Sequence, residues 1–185
     1  DIKCDELTID TGTIDTNTID TNTIDTNTID TGTIQNLKIS ILKLNNLQII
    51  NDPPYKIPMC ELLSVTNCSD FILNLSNPEA LKRLFIENTP IDFTDFKDFT
   101  DFKDFIKLRY LTLYNSIQRL KLTDILSILS IPKLSSFDFK HDDFIDDELT
   151  DLSPDLILEN KYIDINLYGD NLNNIRKYLK NLYKD

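Results

Sequence analysis

The sequence predicts an α/β-type repeat solenoid in which parallel β-strands stack side by side, and three observations carry that expectation. Thr-Ile recurs at five-residue steps near the start of the chain. A short pattern, apolar-x-apolar-x-Asn, then returns along its middle, and an amphipathic segment closes it. With 185 residues, 41% of them hydrophobic, the chain has enough apolar material for a core shared by several coils.

The first element is the five-residue array. Ile9, Ile14, Ile19, Ile24, Ile29 and Ile34 each follow Thr, and Gly12, Asn17, Asn22, Asn27 or Gly32 separates the units. A period of five belongs neither to a helix nor to a half-buried strand. It marks either unfolded low complexity or a β-coil with corners every five residues. The same phase extends back to Cys4 and forward through Ile39, Leu44 and Ile49. That continuity favours a coil whose Ile residues face a core and whose Asn or Gly residues turn the corners. Residues 1–43 are therefore expected to form a five-residue-period β-solenoid or a low-complexity array. The array is similar to pentapeptide repeats in period only. Asp10, Asp15, Asp20, Asp25 and Asp30 form its acidic rows, which are read as a solvated face; stacked carboxylates are also the ligands calcium takes.

The second element is the alternating pattern. It reads Leu47-x-Ile49-x-Asn51, Leu63-x-Val65-x-Asn67, Leu84-x-Ile86-x-Asn88 and Leu111-x-Leu113-x-Asn115, with weaker copies Phe137-x-Phe139-x-His141 and Ile165-x-Leu167-x-Gly169. Two alternating apolar residues make a short strand with one buried face, and Asn or Gly suits the turn that leaves it. Another apolar residue stands three positions upstream: Leu44, Cys60, Leu81, Leu108, Leu134 and Tyr162. The copies begin at Leu47, Leu63, Leu84, Leu111, Phe137 and Ile165, giving spacings of 16, 21, 27, 26 and 28 residues.

Together these residues give L-x-x-L-x-L, and over 44–172 the chain resembles the leucine-rich-repeat family, in an irregular form. The resemblance implies an arc of parallel strands whose concave face binds a protein. Asn falls two residues after the third apolar position rather than three, so Asn51, Asn67, Asn88 and Asn115 are open to two readings, a buried ladder or a turn. The bias toward Ile, Asn, Lys and Asp, with in-frame duplications, is similar to leucine-rich-repeat families of insect poxviruses, other large DNA viruses and AT-rich genomes.

One duplication breaks the phase. Asp92-Phe93-Thr94-Asp95-Phe96-Lys97 is repeated as Asp98-Phe99-Thr100-Asp101-Phe102-Lys103. An insertion of this kind is expected on the returning side of a coil, where loops lengthen at small entropic cost. Phe93, Phe96, Phe99, Phe102 and Phe105 are spaced by three, which aligns them in a 3₁₀ turn. Asn77-Pro78-Glu79-Ala80 reads as a short helix or turn with Asn77 as its cap. Leu172, Ile175, Leu179 and Leu182 lie at helical spacing, so 173–185 is expected to be a C-terminal capping helix.

Composition narrows the function. A net charge of -12 repels phosphate backbones, so no nucleic-acid partner is expected. No apolar run has the length of a membrane span, and no basic, apolar leader opens the chain. The expected compartment is the cytoplasm of the source or host cell. Three cysteines and one histidine do not form a metal-ligand set, and there is no glycine-rich phosphate loop. His141 beside Asp142 and Asp143 has no nucleophile paired with it, so the chain is read as non-enzymatic, with no cofactor, no catalytic residues and no metal ligands.

The expected function is protein binding on the strand face that points away from the core. Its candidate residues are Arg83, Phe85, Glu87, Tyr110, Thr112, Tyr114, Asp138, Lys140, Asn166 and Tyr168. Aromatic residues and Arg are the usual anchors of protein interfaces. The alternative is a structural or adhesive surface repeat protein stabilised by calcium on the Asp-rich array.

Overall fold

The computed structural model describes residues 3–15, 38–50, 56–69, 71–91, 102–117, 122–141 and 163–168, with Lys177 and Leu179. Seven strands form one open, all-parallel sheet whose spatial order is the chain order. They are β1 (Lys3–Asp15), β2 (Lys38–Ile50), β3 (Cys60–Thr66), β4 (Arg83–Glu87), β5 (Tyr110–Tyr114), β6 (Ser136–Lys140) and β7 (Asp164–Tyr168). Helix is scarce among the described residues. It consists of one α-helix, α1 (Leu122–Leu129), 3₁₀ turns at Pro78–Ala80 and Phe102–Asp104, and the helical Lys177 and Leu179.

Strand after strand, the same alternation places two apolar side chains inward. The first inner row runs Leu42, Leu63, Leu84, Leu111, Phe137 and Ile165, and the second runs Leu44, Val65, Ile86, Leu113, Phe139 and Leu167. All of these are buried except Ile165, which packs half-buried against them. A third row, Ile39, Cys60, Leu81, Leu108 and Leu134, seals the strand entrance. Each fully buried aliphatic or aromatic side chain contributes about 1.5–3 kcal/mol. No single coil closes this core by itself, because each row is completed by the strands on either side.

The pairing corrects the phase of the first repeat. Leu42 lies beside Leu63 and Leu44 beside Val65, so the first copy is Leu42-x-Leu44-x-Asn46, with Ile39 upstream. The copy read from Leu47 to Asn51, with Leu44 upstream, is shifted by one five-residue unit, and Asn51 lies outside the described residues. With the phase corrected, the first two coils are both 21 residues long. β2 also runs through residue 43, the expected boundary of the array, and pairs with β1 on one side and β3 on the other. Ile9 meets Leu44 and Ile14 meets Ile49 across β1 and β2, so two units of the array belong to the sheet. Array residues 16–37 lie outside the described residues.

The returning segments differ from coil to coil. Between β3 and β4 the chain runs extended, with Phe71, Leu73 and Leu75 buried at alternate positions. Leu75 forms a parallel bridge to Ile57, which belongs to the preceding return. Between β5 and β6 the return is α1, where Ile125, Leu126, Ile128 and Leu129 are buried. Asn77 does not cap the Pro78–Ala80 turn; its Nδ2 approaches Met59 Sδ at 3.6 Å. Phe102 opens a 3₁₀ turn and Phe105 behind it is fully buried. Phe93, Phe96 and Phe99 lie outside the described residues, as does Tyr162. Of the expected capping helix, Lys177 and Leu179 are described; both are helical, and Leu179 is buried with the core.

Candidate functional site: the outer face of the sheet

Strand exits fix how the outer face is held. Asn46, Asn67, Asn88 and Asn115 all have φ between 47° and 53°, the left-handed region. That region costs most L-residues about 1–2 kcal/mol, and Asn is among the few non-glycine types that tolerate it. The side-chain amides also link up. Asn67 Nδ2 donates to Asn46 Oδ1 at 3.1 Å, Asn88 to Asn67 at 3.1 Å, and Asn115 to Asn88 at 3.2 Å. An amide carries both donor and acceptor, so identical amides at one repeat can chain indefinitely. Both sequence readings are therefore partly right: Asn opens the turn and builds a ladder, with Asn46, Asn67 and Asn88 exposed at its surface.

The buried counterpart lies one residue later, where Leu47, Cys68, Thr89 and Ser116 are almost fully buried. The Cys68 N–H donates to Thr89 Oγ1 at 3.0 Å, and the Thr89 hydroxyl donates to the Glu87 carbonyl at 3.0 Å. The Cys68 thiol points at the Thr66 carbonyl, 3.4 Å away. Burial pushes the Cys60 thiol up to about 12 and raises Cys68 as well, so both are inert thiols.

With inner rows and exits fixed, the alternate side chains face outward in three registered rows. Arg83, Tyr110, Ser136 and Asp164 form the first; Phe85, Thr112, Asp138 and Asn166 the second; Glu87, Tyr114, Lys140 and Tyr168 the third. All ten residues singled out from the sequence thus share one face across β4–β7. Tyr110 is 43% exposed and Tyr168 49%. Arg83 and Lys140 are exposed, while Phe85, Glu87, Thr112, Tyr114, Asp138 and Asn166 are half-buried.

Contacts across the rows pre-arrange this face. The Arg83 guanidinium lies 4.8 Å from the centre of the Tyr110 ring. Phe85 and Tyr114 meet edge to face at 6.0 Å. Asn166 Nδ2 donates to Asp138 Oδ1 at 2.8 Å, and the Ser136 hydroxyl donates to Asp138 Oδ2 at 3.4 Å. Desolvation raises the Tyr114 phenol above its ordinary pKa, and the nearby Asp138, Tyr168 and Glu87 raise it further.

The same face continues toward the N-terminal strands without aromatic residues, through Leu62, Ser64 and Thr66 on β3 and Ile41, Lys43 and Asn45 on β2. Lys43 pairs with Glu6 across β2 and β1, and this contact was not legible in the sequence because the phase of β2 was not. Lys82 and Glu61 form a second exposed ion pair at 2.7 Å, at the strand entrance. Among the described residues, no group of three or more His, Cys, Asp or Glu is placed to hold a metal ion. Nor is any described helix long and apolar enough to cross a membrane. No protein-family model, curated protein or solved structure matches the chain.

Proposed function

We propose that the chain is a divergent leucine-rich-repeat solenoid that binds a protein partner on the outer face of β4–β7 and performs no catalysis. The observation that carries this reading is the set of three registered rows, with Arg83 on Tyr110 and Phe85 on Tyr114, turned away from the core. Rigid aromatic groups lose little entropy on binding, and their mutual contacts fix their rotamers in advance.

The family reading has its own support. Cys60-x-x-Leu63-x-Val65-x-x-Cys68 and Leu81-x-x-Leu84-x-Ile86-x-x-Thr89-x-Ile91 follow the family's spacing, with Cys68 and Thr89 buried where it places Asn or Cys. Leu108-x-x-Leu111-x-Leu113-x-x-Ser116 repeats the arrangement. The exposed Asn ladder is an addition one residue earlier.

The structural reading, in which the Thr-Ile array is the working part, draws on one observation: β1 carries two of its units into the sheet. Calcium chelation separates the two readings. For an interaction module, a chelator leaves the melting temperature unchanged; a drop of several degrees would favour the calcium-stabilised repeat. The interaction face is tested by Tyr110→Ser with Tyr114→Ser. Circular dichroism is expected to stay unchanged while a partner cross-linked to the wild-type chain is lost. An unaltered cross-link would remove the face from consideration.

A further inference from the structure

Across β4 and β5 the first and third rows are built alike and differ in the sign of one charge. In the first, β4 supplies a cation, Arg83, and β5 the ring it sits on, Tyr110. In the third, the same two strands supply a carboxylate, Glu87, and a ring, Tyr114, again in register. Glu87 is half-buried, and among the described residues its carboxylate makes no hydrogen bond or ion pair. Lys140 stands on the other side of Tyr114, in register with it on β6. A ring beside an unpaired carboxylate is the arrangement a guanidinium or ammonium completes, through the π face and the charge together.

We propose that the Glu87–Tyr114 pair receives an arginine or lysine side chain from a basic segment of the partner protein, reproducing in trans the contact that Arg83 makes with Tyr110. This rests on the protein-binding reading of the same face. Charge complementarity selects the occupant. The chain carries a net charge of -12, which steers basic partners toward it and opposes a second copy of itself. Beside the larger effect of desolvation, the carboxylates of Asp138 and Glu87 help raise the Tyr114 phenol at the same spot. Phe85, edge-on to Tyr114, holds the ring in place for the incoming cation.

The test is an NMR titration of the full chain with the peptide acetyl-Gly-Arg-Gly-Arg-Gly-amide, alongside the same peptide with citrulline replacing arginine. The arginine peptide is expected to shift the Tyr114 ring and Glu87 amide resonances saturably, and the neutral citrulline peptide to leave them in place. Glu87→Gln, which keeps size and backbone bonds, is expected to weaken the arginine peptide about tenfold, the scale of a partly desolvated charge contact. Equal binding of both peptides, or an unchanged affinity in Glu87→Gln with an unchanged melting temperature, overturns the proposal. The wider reading fails separately. If Tyr110→Ser with Tyr114→Ser loses the cross-linked partner while Glu87→Gln affects neither peptide nor partner, protein binding stands and the basic segment falls. If neither variant alters the partner, both fall. A concentration-dependent dimer in sedimentation equilibrium that Glu87→Gln abolishes would make the occupant a second copy and also overturn it.

Discussion

The coils joining β2, β3 and β4 take 21 residues each, whereas those joining β4 to β7 take 26 to 28. The same two inner rows run through both regions, although β2 and β3 are 13 and 7 residues long and β4 to β7 are five each. The exits after β2, β3, β4 and β5 all pass through a left-handed Asn, so Asn88 and Asn115 open long coils as Asn46 and Asn67 open short ones, and the return between β3 and β4 turns Phe71, Leu73 and Leu75 inward. A longer coil accommodates α1 on its return, and the exit after β6 passes to His141, which is not left-handed. Coil length is therefore absorbed by the returns, while the sheet holds its register. Where Asn gives way to His, the backbone pairing still continues, since the His141 N–H donates to the Tyr168 carbonyl at 3.2 Å. The amide ladder stops, and Asn115 Oδ1 is left buried without a partner. Backbone pairing and the side-chain ladder are thus separable contributions to stacking.

The largest test of this comparison is a core truncation in each region. Leu84→Ala and Phe137→Ala each remove one member of the same inner row and are expected to cost about 3–5 kcal/mol in chemical denaturation. Similar losses would show one cooperative core. A clearly smaller loss for Phe137→Ala would show that the long-coil region unfolds separately.

At the strand exits, Asn88→Ala loses both the turn preference and two ladder bonds and is expected to cost about 2 kcal/mol. Asn88→Gly keeps the turn and is expected to cost roughly half as much. Equal losses from Ala and Gly would assign the whole effect to the ladder. His141→Asn offers Asn115 a donor and is expected to raise stability by about 0.5–1 kcal/mol.

The smallest effect concerns Cys60, the one titratable member of the row sealing the strand entrances. Its thiol is raised in the folded chain, so the folded state holds the proton more tightly than the unfolded one. The contribution is complete below the ordinary thiol pKa and declines as pH rises toward about 12. Near pH 10 the wild type is expected to lose about 1 kcal/mol more than Cys60→Ala, read from denaturation midpoints relative to pH 7. An identical pH dependence in the two proteins would mean that this thiol is not sealed by the coil.

The sheet and its outer rows were readable because Leu63, Leu84 and Leu111 each begin a pattern that a strand alone satisfies. The first copy was not. Leu42-x-Leu44-x-Asn46 and Leu47-x-Ile49-x-Asn51 have the same pattern five residues apart, and pairing with β3 decides between them. The five-residue array creates that ambiguity by supplying an apolar residue in both phases. Phe71, Leu73 and Leu75 carried the two-residue alternation of an extended return, and Ile125, Leu126, Ile128 and Leu129 the spacing of a helical one. Both signals lay outside the repeat pattern, because returns do not have to match from coil to coil. The missing counter-charge at Glu87 was invisible for another reason: it depends on which side chains stand beside it across two strands.

The Asn ladder has one more property. Asn67, Asn88 and Asn115 each donate toward the N-terminal side of the sheet, so their amide dipoles add along the stack. The row of turns is electrically polar, with the bare Asn115 oxygen at its C-terminal end. Turning over one amide would set like atoms against each other at both its neighbours. The four turns therefore hold a single direction together, and the two ends of the stack cannot be exchanged.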